Sequence, residues 1–240
     1  MKAELRNVTP DWASQLLNSA GPNRTISHRR VGAYYDDMAN GRWENNGESI
    51  VVSDTGMLLD GQHRLTAIVR LGKPIQMLVV TGVSDSSIHT INTGKSRSSG
   101  DVLALNGVAN SRSIAAIASM AIDYLSQGSV VRSGYKCSSI ALIYQFYTNN
   151  STRLEIAIAE THRLKKMGLY GVGGFSFLNF MTIGNLKHEE YFSRLVSGVS
   201  SNAYCPIRLI RDKALVTRKG ENTSRDFLPM IIKSWNLYVM

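Results

Sequence analysis

The densest chemistry in this chain lies in five consecutive residues, Asp60-Gly61-Gln62-His63-Arg64. A short apolar run precedes them and helical periodicity follows them, so they sit at a helix start. There the N–H groups of the first turn and the positive end of the helix dipole attract anions. Gly61 lets a ligand approach the backbone closely. His63 and Arg64 add side-chain donors, Arg64 as a planar fork that matches two phosphate oxygens. The chemistry of such a turn is the holding of phosphate. The same residues also admit a structural role, in which Asp60 is the N-cap, His63 is solvated and Arg64 pairs with an acidic neighbour.

A second cluster, Asn92-Thr93-Gly94-Lys95-Ser96-Arg97-Ser98, packs small polar residues, one glycine and two cations into seven positions. It could bring Lys95 and Arg97 onto outer phosphates or a nucleic-acid backbone, or it could be a solvated linker. Candidates for a general base or metal ligand are Asp60 and the helix-surface pair Asp36 and Asp37. Asp60 would have to change only from cap to magnesium ligand through water.

Several elements must position these groups. Pro10-Asp11-Trp12 opens a short helix to about Leu17, which Asn18 to Pro22 breaks. Ser27 caps a helix carrying Val31, Tyr34, Tyr35 and Met38 on one face and stopping at Gly41, with Asp36 and Asp37 facing water. Ile50-Val51-Val52 and Met57-Leu58-Leu59 form a hairpin about Asp54-Thr55-Gly56. After Arg64, Leu65, Ala67, Ile68 and Leu71 follow helical spacing up to Gly72, and Pro74 to Thr81 is a further strand. From Asp101 onward the pattern is helical. It starts with a helix capped by Ser111 or Ser113, followed by segments near 138–148, 152–166, 175–183, 187–198, 206–218 and 224–238. The four glycines in Gly168 to Gly174 form a hinge or tight connection. The expected fold is α+β, with a small mixed-sheet module over residues 1–100 followed by an all-helical domain over 101–240.

The stretch from Ser49-Ile50-Val51-Val52 through Asp60-Gly61-Gln62-His63-Arg64-Leu65-Thr66-Ala67 and on to Ile75–Val80 resembles the ParB N-terminal/sulfiredoxin superfamily. Within it, the similarity is to phage and bacterial proteins with a DGQHR motif, and it covers about residues 5–101. The resemblance implies that Gly61, Gln62, His63 and Arg64 bind the phosphates of a nucleoside triphosphate, ATP or CTP, with Mg2+ as a candidate cofactor. Gln62 stands where sulfiredoxins carry their cysteine nucleophile, which argues against sulfiredoxin-type reduction. Pro22-Asn23-Arg24 looks like a segment that ParB-like proteins place beside the same pocket, so Asn23 and Arg24 would complete the cradle; alternatively it is an ordinary turn into Ser27. The 92–98 cluster resembles an Asp-Thr-Gly-x-x-Arg segment, with Asn92 replacing the aspartate, which weakens any argument that it binds magnesium.

Composition sets the remaining bounds. Apolar residues make up 43% and charged residues 19%, as expected of a chain that buries a core. The formal charge of +9 is uneven: residues 1–100 hold 11 basic and 9 acidic residues, residues 101–240 hold 16 and 9. A rear-half excess suits a polyanion, DNA above all, because cations on phosphates release condensed counterions; it also serves simple solubility. Lys136, Arg153, Arg163, Lys165, Lys166, Arg208, Arg211, Lys213, Arg218 and Lys219 would form that surface if they converge. Phe175, Phe177 and Phe180 could stack bases but fit a core better. His162 and His188 read as surface residues, and Trp235 as an anchor for the last helix. Cys137 and Cys205 read as buried thiols, with no CxxC and no zinc-ligand spacing. No apolar run is long enough to span a bilayer and Met1 to Arg6 lack a secretory apolar stretch, so the expected location is the cytoplasm and no membrane partner is expected.

These observations support a nucleotide-binding, ParB-like protein acting on or at DNA, with the helical half also a candidate for homodimer or host-protein contacts. A phosphotransferase using Asp60 as base toward a small hydroxyl compound or DNA base is an alternative, and so is a non-catalytic regulator that binds DNA or a host protein. Nuclease chemistry lacks the carboxylate cluster that two metal ions need.

Overall fold

A computed structural model of the chain describes residues 1–20, 25–91, 97–128, 138–199, 202, 204–217 and 224–240. Their architecture is mixed α+β, and the chain divides into two compact units. One comprises Met1–Arg97 with Ser133–Leu142, the other Ser98–Arg132 with Ile143–Met240.

The front unit is a four-stranded mixed sheet with helices on one face. Its strands are β1 (Lys2–Val8), β2 (Ser49–Ser53), β3 (Leu58–Asp60) and β4 (Ile75–Val83), in the order β1-β4-β2-β3. β4 runs antiparallel to β1 and parallel to β2, and β2 antiparallel to β3. Alternation decides which face is covered: Ile50, Val52, Met77 and Val79 are buried, whereas Val51, Leu78 and Val80 are half-exposed. Three helices bury their apolar stripes on that face: α1 (Pro10–Asn18) with Ala13 and Leu16, α2 (His28–Ala39) with Val31 and Met38, and α3 (Gln62–Leu71) with Leu65, Ala67 and Ile68. Thr9 caps α1 and Ser27 caps α2, each side chain accepting from the backbone N–H three residues on. Gly72 closes α3 in the left-handed region.

β1 was not among the sequence expectations. Its residues Lys2, Glu4 and Arg6 give no apolar alternation, and the strand exists by pairing with β4 more than sixty residues away. Asp37 also departs from expectation. It does not face water but accepts from Arg42 Nε at 3.1 Å and Ser139 Oγ at 2.6 Å, and Ser139 Oγ in turn accepts from Leu142 N. This network draws residues 138–142 into the front unit.

The rear unit contains α4 (Ser99–Leu105), α5 (Ser111–Gln127), most of α6 (Ile140–Lys166), α7 (Val172–Thr182), α8 (His188–Ser197), α9 (Pro206–Val216) and α10 (Ser224–Val239). α4 opens on a capping box between Ser98 and Asp101. The cap of α5 is Asn110 in the left-handed region, not a serine. The two segments expected near 138–148 and 152–166 are the two arms of α6, which meet at a kink at Asn150, whose φ is −134° and whose Nδ2 donates to Phe146 O. The glycine-rich stretch lets two helices approach closely: a Cβ on Gly171 would lie 2.6 Å from Phe227, and one on Gly174 2.8 Å from Ile231. Phe175, Phe177 and Phe180 are core.

Among the described residues of this unit, three cations are tied to helix C-termini. Arg153 donates to the carbonyls of Phe180, Met181 and Ile183 at the end of α7. Arg211 Nε donates to Leu195 O at the end of α8, and Lys187 Nζ donates to Tyr238 O and Val239 O at the end of α10. Each satisfies carbonyls that a helix end leaves unpaired. His188 is buried, not on the surface, with Nδ1 2.9 Å from Thr182 Oγ1.

Tyr191 is fully buried, bonds Ser234 Oγ and stacks edge-on against Trp235. Burial pushes its hydroxyl up to about 12 from 10.0. The folded state therefore keeps a proton that the unfolded chain loses, so this contribution is whole below pH 10 and lost as pH rises toward 12. Denaturant unfolding across that window should show stability falling steeply, and less steeply in Tyr191→Phe; an identical slope in both would mean Tyr191 does not supply the linkage.

Candidate phosphate-binding site

β3 delivers Asp60 to the start of α3, and Gly61 makes the turn between them. Its φ is 104°, and a Cβ there would run into the Ile50 side chain, so no other residue fits without strain. Gly61 is itself the N-cap residue, so Asp60 is not; Gly61 brings no side chain to cap α3, whose first turn holds no acidic residue.

The three residues that follow are all buried: Gln62, His63 and Arg64. Arg64, whose side chain is 5% exposed, turns toward the sheet. Its Nη1 donates to Glu48 Oε2 at 3.1 Å, and its Nη2 to Asp60 Oδ2 and Ser49 O, both at 2.9 Å. One guanidinium thus joins the last residue of β3, the first of β2 and the residue before β2. Asp60 and Arg64 also stand four residues apart across the turn, a spacing visible in the sequence; Glu48 carried no such signal.

His63 makes the second link. Its Nε2 accepts from Ser27 N at 2.9 Å, which fixes a neutral ring with its proton on Nδ1. This bond brings the start of α2 against the start of α3, so the positive ends of two helix dipoles meet. The first turn of α2 carries His28, Arg29 and Arg30, all exposed, and no acidic residue. The two arginines at the positive end of the helix oppose its dipole, and an anion would relieve that opposition. Sequence reasoning passed over these residues because it treated Ser27 only as a cap; the run His28-Arg29-Arg30 beside a cap was the available signal.

The other expected site residues are mostly beyond what the structure describes. Asn23, Arg24 and Lys95, with Asn92, lie outside the described residues, as do Lys136, Cys137, Arg218 and Lys219. Arg97 is exposed, next to the Ser98 cap. Cys205 is half-buried. Among the described residues no three His, Cys, Asp or Glu side chains group as a metal ion requires, and no helix is long and apolar enough to cross a membrane.

Neither family models, nor curated proteins, nor solved structures show a match to this chain.

Gly61→Ala should destabilise the protein by about 3 kcal/mol, from backbone strain and overpacking against Ile50. Pairing it with Ile50→Val, which removes the methyl the new Cβ would strike, should recover part of that loss. Strictly additive losses in urea unfolding would mean the two sites are not in contact.

Proposed function

We propose that the front unit binds the phosphates of a nucleoside triphosphate, ATP or CTP, where the starts of α2 and α3 meet, and that the protein acts on or at DNA. One observation carries the reading: the starts of α2 and α3, neither with an acidic residue in its first turn, meet through the Ser27–His63 bond beside an exposed basic turn of α2. The likeness of the Gly61-Gln62-His63-Arg64 turn to ParB-type nucleotide sites supports the same assignment.

In this arrangement Gly61 and Gln62 offer backbone to the phosphates, Arg29 and Arg30 offer charge, and His63 holds the two helix starts together. Arg64 holds the turn through Glu48, Ser49 and Asp60. Arg24, Asn23, Lys95 and Arg97 remain candidates for the outer phosphates. Asp60 is paired with Arg64, which gives it a positioning role and favours, as a second reading, a protein that binds phosphate without transferring it. DNA would be engaged by cations not tied to helix ends, such as the exposed Arg163, Lys165 and Lys166 in the last turn of α6.

The test is calorimetric titration with ATP, CTP and GTP, with and without Mg2+. The variant Arg29→Ala/Arg30→Ala alters only exposed side chains and should weaken binding by about tenfold or more without lowering stability. Turnover that rises on adding DNA would support the catalytic reading; binding without turnover would favour the second. No affinity for any nucleotide, or affinity indifferent to Arg29 and Arg30, would overturn the proposal.

A further inference from the structure

The two edges of the front sheet differ. β3 is three residues long, and the Ala20–Leu58 bridge covers its outer side. β1 is seven residues long, stands at the other end of the strand order, and exposes Lys2, Ala3, Leu5, Arg6 and Asn7. Leu5 is 59% exposed on a strand that pairs on one side only. A long edge of this kind is a template for another strand.

Its side chains identify the strand that fits. In a symmetric antiparallel pairing of β1 with a second β1, opposed residues share a face, so the two-fold axis falls on a residue, and three centres pair five residues or more. Centred on Glu4, two carboxylates face each other and Lys2 faces Arg6, which is repulsive throughout. Centred on Arg6, two guanidiniums face each other and Glu4 faces Val8, so no ion pair forms. Centred on Leu5, the leucines meet on the two-fold axis and Glu4 faces Arg6 on both sides of it. Directly opposed unlike charges and an apolar pair are the favourable cross-strand combinations, and like charges are unfavourable. Of these three, the register without like charges and with two ion pairs is the one that pairs all seven residues and buries Leu5.

The side chains are already placed for it. Glu4 and Arg6 lie on one face of β1 by the two-residue period. Arg6 is held with its guanidinium 4.2 Å over the Trp12 ring, and Glu4 is bridged to Lys2 at 2.6 Å. Leu5 lies on the opposite face beside Leu78 of β4, its register partner, so a second copy would extend that half-exposed apolar face.

We infer that β1 is a homodimerisation edge, pairing antiparallel with β1 of a second copy about Leu5 to make one continuous sheet across two front units. The occupant is another copy of this chain, because the charge pattern is complementary to its own reverse.

The test uses the full chain and reads mass by sedimentation equilibrium over a concentration series. Wild type should show a concentration-dependent dimer. Glu4→Arg alone sets Arg against Arg, and Arg6→Glu alone sets Glu against Glu, so each should weaken the dimer by about tenfold or more. Mixing the two single variants restores both ion pairs and should restore the dimer as a heterodimer, an outcome that lost folding could not produce. Leu5→Lys, at an exposed position, should also weaken self-association and serves if either charge variant misfolds. A wild type that stays monomeric throughout would overturn the inference. So would a dimer unaffected by all three substitutions, or folded single variants that do not combine.

Discussion

The guanidinium of Arg64 fixes the geometry on which the front unit depends. Taking a guanidinium almost wholly out of water is costly unless its donors are satisfied, and two carboxylates and a carbonyl satisfy its terminal nitrogens. Those three partners come from the end of β3, the start of β2 and the residue before it. The turn at Gly61 therefore cannot shift without breaking charged hydrogen bonds in a partly water-excluded place. Gly61 completes the constraint by letting the backbone lie against Ile50. His63 then passes the fixed position of α3 on to α2 through Ser27, so the pairing of the two helix starts follows from the same buried anchor.

Charge is spent in a similar way in the rear unit. Arg153, Arg211 and Lys187 each hold carbonyls at the end of a neighbouring helix, where the dipole is negative. Arg208 pairs with Asp212 and Arg194 with Glu190 on their own helices. Part of the basic excess read from the sequence thus serves helix ends, and a net charge alone overstates how much cationic surface remains for a polyanion. The front unit shows the converse. Its net charge is small, yet an exposed basic turn is concentrated beside two positive helix ends.

What the sequence made legible is what local patterns encode. The hairpin, α1 to α3, β4 and the caps Ser27 and Gly72 follow from periodicity and turn residues, and the break at Asn150 was visible as a gap between two helical segments. What it hid depended on distant partners. β1 carries charges that say nothing of a strand until β4 is paired with it. Asp37 looked solvated because Ser139 lies 102 residues away. The direction of Arg64 turned on Glu48, sixteen residues back, and the same side chain could equally have pointed outward to a ligand. Residue type identified the turn as chemically notable, whereas only the fold says which of its donors face inward.

Whether Arg64 is an internal anchor is decided most directly by the unfolding free energy of Arg64→Met, measured in urea against wild type. Removing one partner of a buried charged network typically costs about 3 to 5 kcal/mol, and a loss of that size is expected here because Asp60 and the Ser49 carbonyl would be left without their donor. A loss below about 0.5 kcal/mol would contradict the account. It would mean that the front unit does not rest on Arg64, and that this side chain is free to serve a ligand instead.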